Sequence, residues 1–213
     1  MDCLLLLGAM LRGINRESLF LSSKKLEKLI ILEKIRSRIG MRGVLREVNR
    51  MKRKVKAVNL KDARNIGVLF SLDSEIEYER ISRFVMQLQD TGKKVMVVGS
   101  FKYRKLPPFY SPKLSYDVIT PADLDLFLRP KAKFIPPFLG QSFDMLINLG
   151  SPDDFPLYYL STISKAGFKL GQKKGIEPWP YDLMIDMDIH NTDELIEQMV
   201  HYTSSFNMGG RAG

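Results

Sequence analysis

A chain of 213 residues with 45% apolar side chains has room for one ordinary folded domain and an appendage. Its single cysteine, Cys3, excludes an internal disulfide framework and a multi-cysteine metal site, and two histidines, His190 and His201, exclude a histidine-rich metal centre. The net charge of +9 is concentrated in residues 24–64, which hold fifteen Lys or Arg against four acids, whereas residues 1–23 balance and residues 65–213 carry sixteen bases and eighteen acids.

Cys3 to Leu11 is apolar but far shorter than the roughly 20 residues that span a bilayer, and it lacks the basic start of a secretory signal. A cytoplasmic protein without a transmembrane segment is expected. Residues 1–23 are expected to be poorly defined, with Met10, Met41 and Met51 as alternative starts. Residues 24–64 form a basic helical arm. Ser22 or Ser23 caps a first helix, Lys24 to Ile39, which Gly40 and Gly43 break. A second helical stretch carries Val44, Val48, Met51, Val55 and Val58 as a narrow apolar seam on a basic rod.

The domain proper is expected over residues 65–206, before a flexible tail at 207–213. Ile66 to Phe70 reads as a strand, and Asp73 or Ser74 caps a helix to Asp90 with Ile76, Ile81, Phe84, Val85 and Leu88 buried. Thr91-Gly92 closes it before a strand at Lys94 to Gly99. Tyr116 to Ile119 is the next strand, and Thr120-Pro121 begins a helical turn. Leu106 to Pro112, with its proline pair, cannot be regular structure, and Phe134 to Gly140 holds another proline pair and leads into the strand at Phe143.

Phe143 to Leu149 is an apolar run that stops at Gly150-Ser151-Pro152. Asp153 caps a helix through Phe155, Leu157, Tyr158, Leu160 and Ile163, ended by Ala166-Gly167 before a strand at Phe168 to Leu170. A last strand, Tyr181 to Met187, precedes a helix capped by Asn191 or Thr192. Strands and helices alternating in this way give an α/β fold, a Rossmann-like open and mostly parallel sheet of five or six strands.

The segments NIGVLFS, KLPPF, FDMLINL, DDFPLYYLSTISKAGFKLG and YDLMID followed by ELIEQMVHY together resemble a bacterial α/β domain family of unknown function over about residues 42–206. That resemblance implies a fold and transfers no catalytic residues. A weaker similarity is to the amino-terminal half of heptosyltransferase-type glycosyltransferases, in which the strand usually ends in Asp where this chain has Asn148.

The phosphate and nucleophile motifs are absent. No G-x-G-x-x-G, G-x-x-x-x-G-K-[ST] or G-x-S-x-G follows a strand, so no cofactor is expected. Asp73, Ser100, Lys102, Asp123, Asn148, Asp153 and Asp154, with Ser71, Tyr103, Thr120 and Ser151, fall at expected carboxyl ends of strands, where open α/β sheets place ligands. Paired carboxylates there can act as acid and base. Asp73, Asp123 and Asp153 also sit where helix caps belong, and capping explains their spacing without a further assumption. Trp179 either lines a pocket or covers a sheet edge.

In the arm, Arg46, Arg50, Lys52, Arg53, Lys54 and Lys56 are offset only by Glu47 and suit contact with phosphates rather than base readout. The expected function is a non-catalytic binding protein whose arm contacts RNA or a ribonucleoprotein. The alternatives are an enzyme, or an inactive relative of one, handling a phosphorylated sugar or nucleotide at the sheet crevice, and an assembly factor meeting a protein or an anionic membrane surface.

Overall fold

The computed structural model describes residues 35–36, 39–46, 53–186 and 192–205. The expectations for residues 1–34 and 207–213, for Val48, Arg50, Met51 and Lys52, and for His190 lie outside the described residues.

Six strands form one sheet: β1 Asn65–Ser71, β2 Lys94–Ser100, β3 Tyr116–Ile119, β4 Met145–Asn148, β5 Phe168–Gln172 and β6 Leu183–Ile185. Every pairing is parallel, in the order β3-β2-β1-β4-β5-β6. The first three strands run outward to one edge from β1 and the last three to the other from β4. The direction of winding therefore reverses between β1 and β4, where Ile66 pairs with Met145 and Leu69 with Asn148.

Both faces are covered, as a parallel sheet requires. Alternate residues of β1 sort to opposite cores. Ile66, Val68 and Phe70 pack with helix α1, Glu75–Asp90, and with helix α4, Thr192–Ser204. Leu69 joins Val98 and Leu146 against helix α2, Ile135–Leu139, and helix α3, Phe155–Ile163. Gly67 and Gly99 admit the rings of Phe143 and Phe70, where a Cβ would lie 3.2 and 2.7 Å from ring carbons.

Several local expectations are corrected. Of the two expected caps of α1, Ser74 is the one that forms, accepting from Glu77 N at 3.3 Å, so Asp73 is not needed as a cap. Ile76 is 63% exposed and Tyr78 takes a place in the buried stripe. The second proline pair lies in a short helix that the sequence reading does not name: Pro136 and Pro137 fall in the first turn of α2, where a proline forfeits no intrahelical bond. Asp154, not Asp153, caps α3, accepting from Leu157 N at 3.3 Å. That helix ends at Ser164, whose hydroxyl accepts from Ala166 N, short of the expected stop.

The arm differs most. Gly40 and Gly43 do not break it: residues 39–46 are helical. Gly40 is needed for close approach, since a Cβ there would meet Phe127 O at 2.5 Å and the Phe155 ring at 2.9 Å. Val44 is fully buried with Phe155, Tyr158 and Ile163. Residues 53–58 are not helical, so the seam is not continuous: Val58 is in the core whereas Val55 is exposed. Lys56 N instead donates to Gly167 O at 2.9 Å, beside the start of β5. Among the described residues no helix is long and apolar enough to cross a membrane.

Candidate functional site

The winding reverses between β1 and β4, the place where open parallel sheets hold ligands, and the carboxyl ends of the strands there carry polar groups. Ser71 ends β1, and its hydroxyl donates to Asp154 Oδ2 at 3.1 Å while accepting from Ser151 N at 2.8 Å. Ser100, the last residue of β2, also donates to Asp154. Asn148 ends β4; its Oδ1 accepts from Gly150 N at 2.9 Å, and its amide donates to Tyr181 Oη at 2.7 Å and Ser161 Oγ at 3.3 Å. An aspartate at 148 would have no proton to give either hydroxyl. Asn148 therefore fixes the corner rather than serving as an exposed base.

Asp154 is the chemically poised group. Burial pushes its carboxyl up to about 6, against the bonds from Ser100, Leu157 N and Ser71 that favour the anion, and the nearby Asp73 carboxylate adds to the rise. An acid that exchanges its proton near neutral pH at a winding reversal can donate or accept a proton.

Of the candidate crevice residues, Ser71, Ser100, Asn148, Ser151 and Asp154 come together and Asp73 lies close by. The others do not join them. Lys102 is exposed with its ammonium 5.4 Å from the Tyr103 ring centroid. Asp123 accepts from Thr120 N and Oγ1 at 2.9 and 2.8 Å, closing the turn Pro121–Asp123. Asp153 is exposed. Among the described residues no three His, Cys, Asp or Glu side chains gather as a metal site would need.

The basic arm makes a second surface. Arg53 is taken up internally: it donates to Ala166 O at 2.6 Å and Gly167 O at 3.3 Å and pairs with Asp182. The expectation of a solvent-facing Arg53 is corrected accordingly. Its guanidinium satisfies the carbonyls of Ala166 and Gly167 just before β5, the second of which also accepts from Lys56 N. Arg36 likewise donates to Leu126 O at 2.6 Å. Arg42, Arg46, Lys54 and Lys56 are exposed. Arg42 and Arg46 line an open groove of about 310 Å³ with Phe127 and Arg129, floored by Gly40 and Gly43.

The far wall of this groove is a tight turn built on Asp125. Its carboxylate accepts from Phe127 N at 2.7 Å and from Arg129 N and Nε at 3.0 and 2.8 Å. Although burial opposes its charge, those bonds and the Arg129 cation hold the carboxyl below the usual range. The network also holds Leu128 at φ 62°, a left-handed conformation a branched residue rarely adopts. The Arg129 guanidinium lies 5.5 Å from the Phe127 ring centroid.

Three residues of consequence escape the sequence reading. Tyr181 and Ser161 meet Asn148 only because α3 and the approach to β6 fold over β5, and nothing local announces it. Lys169 is 2% exposed inside β5, and its signal was available: a lone cation in a strand covered on both faces.

No curated protein matches the chain. A family model does, over residues 39–206, from the helical segment 39–46 to just beyond α4. With that model covering residues 39–206, the chain belongs to the family of unknown function DUF6913.

Proposed function

We propose that this protein is a cytoplasmic, non-catalytic RNA-binding protein that holds single-stranded RNA by its phosphates. The observation that carries the reading is the groove in which Arg42, Arg46 and Arg129 meet around the half-exposed ring of Phe127. Guanidinium groups suit phosphate oxygens, and an exposed aromatic ring offers a base a stacking surface that does not select among bases. The burial of Val44 and the approach at Gly40 fix the helical segment to the domain, so its cations are presented in a set arrangement. Arg53 is not part of this surface.

The test is fluorescence anisotropy of a labelled oligouridylate with wild type, the double variant Arg42→Gln/Arg46→Gln, and Phe127→Ala. Binding is expected to be weak at physiological salt, similar for an unrelated RNA, and lost first in the double variant. Phe127→Ala is expected to weaken it by about tenfold, the value of one stacked base. Equal affinity in wild type and double variant rejects the reading.

A second reading rests on Asp154. Its raised carboxyl at the winding reversal favours a small phosphorylated ligand at the crevice, handled by acid–base chemistry. Asp154→Asn separates the two, since it leaves RNA binding intact and abolishes any crevice chemistry.

A further inference from the structure

A second cavity, of about 320 Å³, lies against β5 and is lined by Tyr158, Lys169, Trp179 and Tyr181 with the Arg53–Asp182 pair. Nearly every polar group on its wall is committed. Tyr158 Oη donates to Pro178 O at 2.9 Å, and Tyr181 Oη accepts from Asn148. Thr162 Oγ1 donates to Tyr158 O at 2.7 Å. Asp182 Oδ2 takes both Arg53 and, at 2.8 Å, the backbone N–H of Lys169.

Two donors are left over. The Trp179 indole Nε1 is buried with no partner among the described residues. Lys169 Nζ donates to Thr162 O at 3.1 Å, which uses one of an ammonium's three protons. A buried donor without an acceptor is unfavourable, so the lining is incomplete on the acceptor side. The remaining walls are flat rings, Leu45 and the prolines 178 and 180.

We propose that this cavity binds a small flat carboxylate, whose oxygens accept from Lys169 Nζ and Trp179 Nε1 while its ring lies among the tyrosines. The site is independent of what the arm binds. The charged and titratable groups facing Lys169 are Arg53, Asp182, Tyr158 and Tyr181. Burial, and then Arg53, lowers the Lys169 ammonium to about 7 against the pull of Asp182. Burial raises both phenols, which stay neutral. An incoming carboxylate restores the ammonium, so binding takes up a proton above pH 7. Affinity then falls by about tenfold per pH unit there.

Trp179 is the sole tryptophan, so one indole N–H resonance reports on the site alone. The 213-residue chain, labelled with ¹⁵N, is titrated with benzoate at pH 7 and pH 9, and with benzamide as the uncharged analogue. Benzoate is expected to move the indole resonance downfield to saturation at pH 7. Benzamide is expected to bind about tenfold or more weakly, as is benzoate to Lys169→Met. Wild-type affinity for benzoate is expected to drop by more than about tenfold at pH 9. If Lys169→Met does not fold, the comparison of benzoate with benzamide on the wild type decides. No saturable shift at pH 7, equal affinity for benzamide, or equal affinity at the two pH values overturns the proposal.

Discussion

A carboxylate at a helix start is ordinarily held ionised by the amide it accepts from. Asp154 accepts such a bond from Leu157 N, yet burial outweighs it and its carboxyl titrates near 6 rather than 3.8. A folded acid that keeps its proton to higher pH than the unfolded one favours the fold below about pH 4. That contribution is lost as pH rises through 6. Asp154→Asn, which caps as well but carries no charge, is expected to be more stable than wild type by about 1–2 kcal/mol at pH 7.5 and equal to it at pH 4. Thermal unfolding at the two pH values checks this. Asp153→Ala, one residue away and exposed, is expected to change neither.

Arg53 belongs to the same scale. In sequence it is one of six neighbouring cations; among the described residues it is the cation whose guanidinium ties the segment to the start of β5. Arg53→Gln is expected to cost about 2 kcal/mol, since it strips charge-assisted bonds from two carbonyls and from Asp182. RNA affinity is expected to stay unchanged. Chemical denaturation and anisotropy on the one variant check both halves.

Elements were legible where one signal dominated. The stretch from β1 through α1 to β2 could be read from an apolar run, a capping serine and Thr91-Gly92, with Gly92 at φ 77° as a helix-closing residue needs. The arm was not legible, because two rules conflicted. Glycine lowers helix propensity, which argues for a break at Gly40 and Gly43. Packing of Val44 into the Phe155, Tyr158 and Ile163 cluster outweighs that preference, and only glycine lets residue 40 touch Phe127 and Phe155. Gly40→Ala would raise helix propensity and still is expected to destabilise the protein by about 1–3 kcal/mol, because the contact overpacks. A thermal shift upward instead would show that the segment is not seated there.

For the whole molecule, six parallel strands and two covered faces follow from alternating apolar strands and amphipathic helices. The strand order does not, because βαβ units fix handedness without fixing which strands become central neighbours. The candidate crevice was therefore visible as a set of strand ends. Which of them meet, namely Ser71, Ser100, Asn148 and Asp154, depends on β1 and β4 lying side by side. The charge asymmetry was legible from composition, and its division into anchoring and outward-facing cations was not.

That division is the core of the functional account, and the salt dependence of RNA binding tests it most directly. About two phosphates neutralised by Arg42 and Arg46, with Arg129 held by Asp125, give a slope of log K against log salt of about −1.4 for a single strand, and Arg42→Gln/Arg46→Gln reduces it to near zero. The same slope in wild type and Arg53→Gln, with the shallow slope in the double variant, is the predicted result. No measurable binding at about 50 mM salt, or a slope that Arg53→Gln flattens and the double variant leaves untouched, contradicts it.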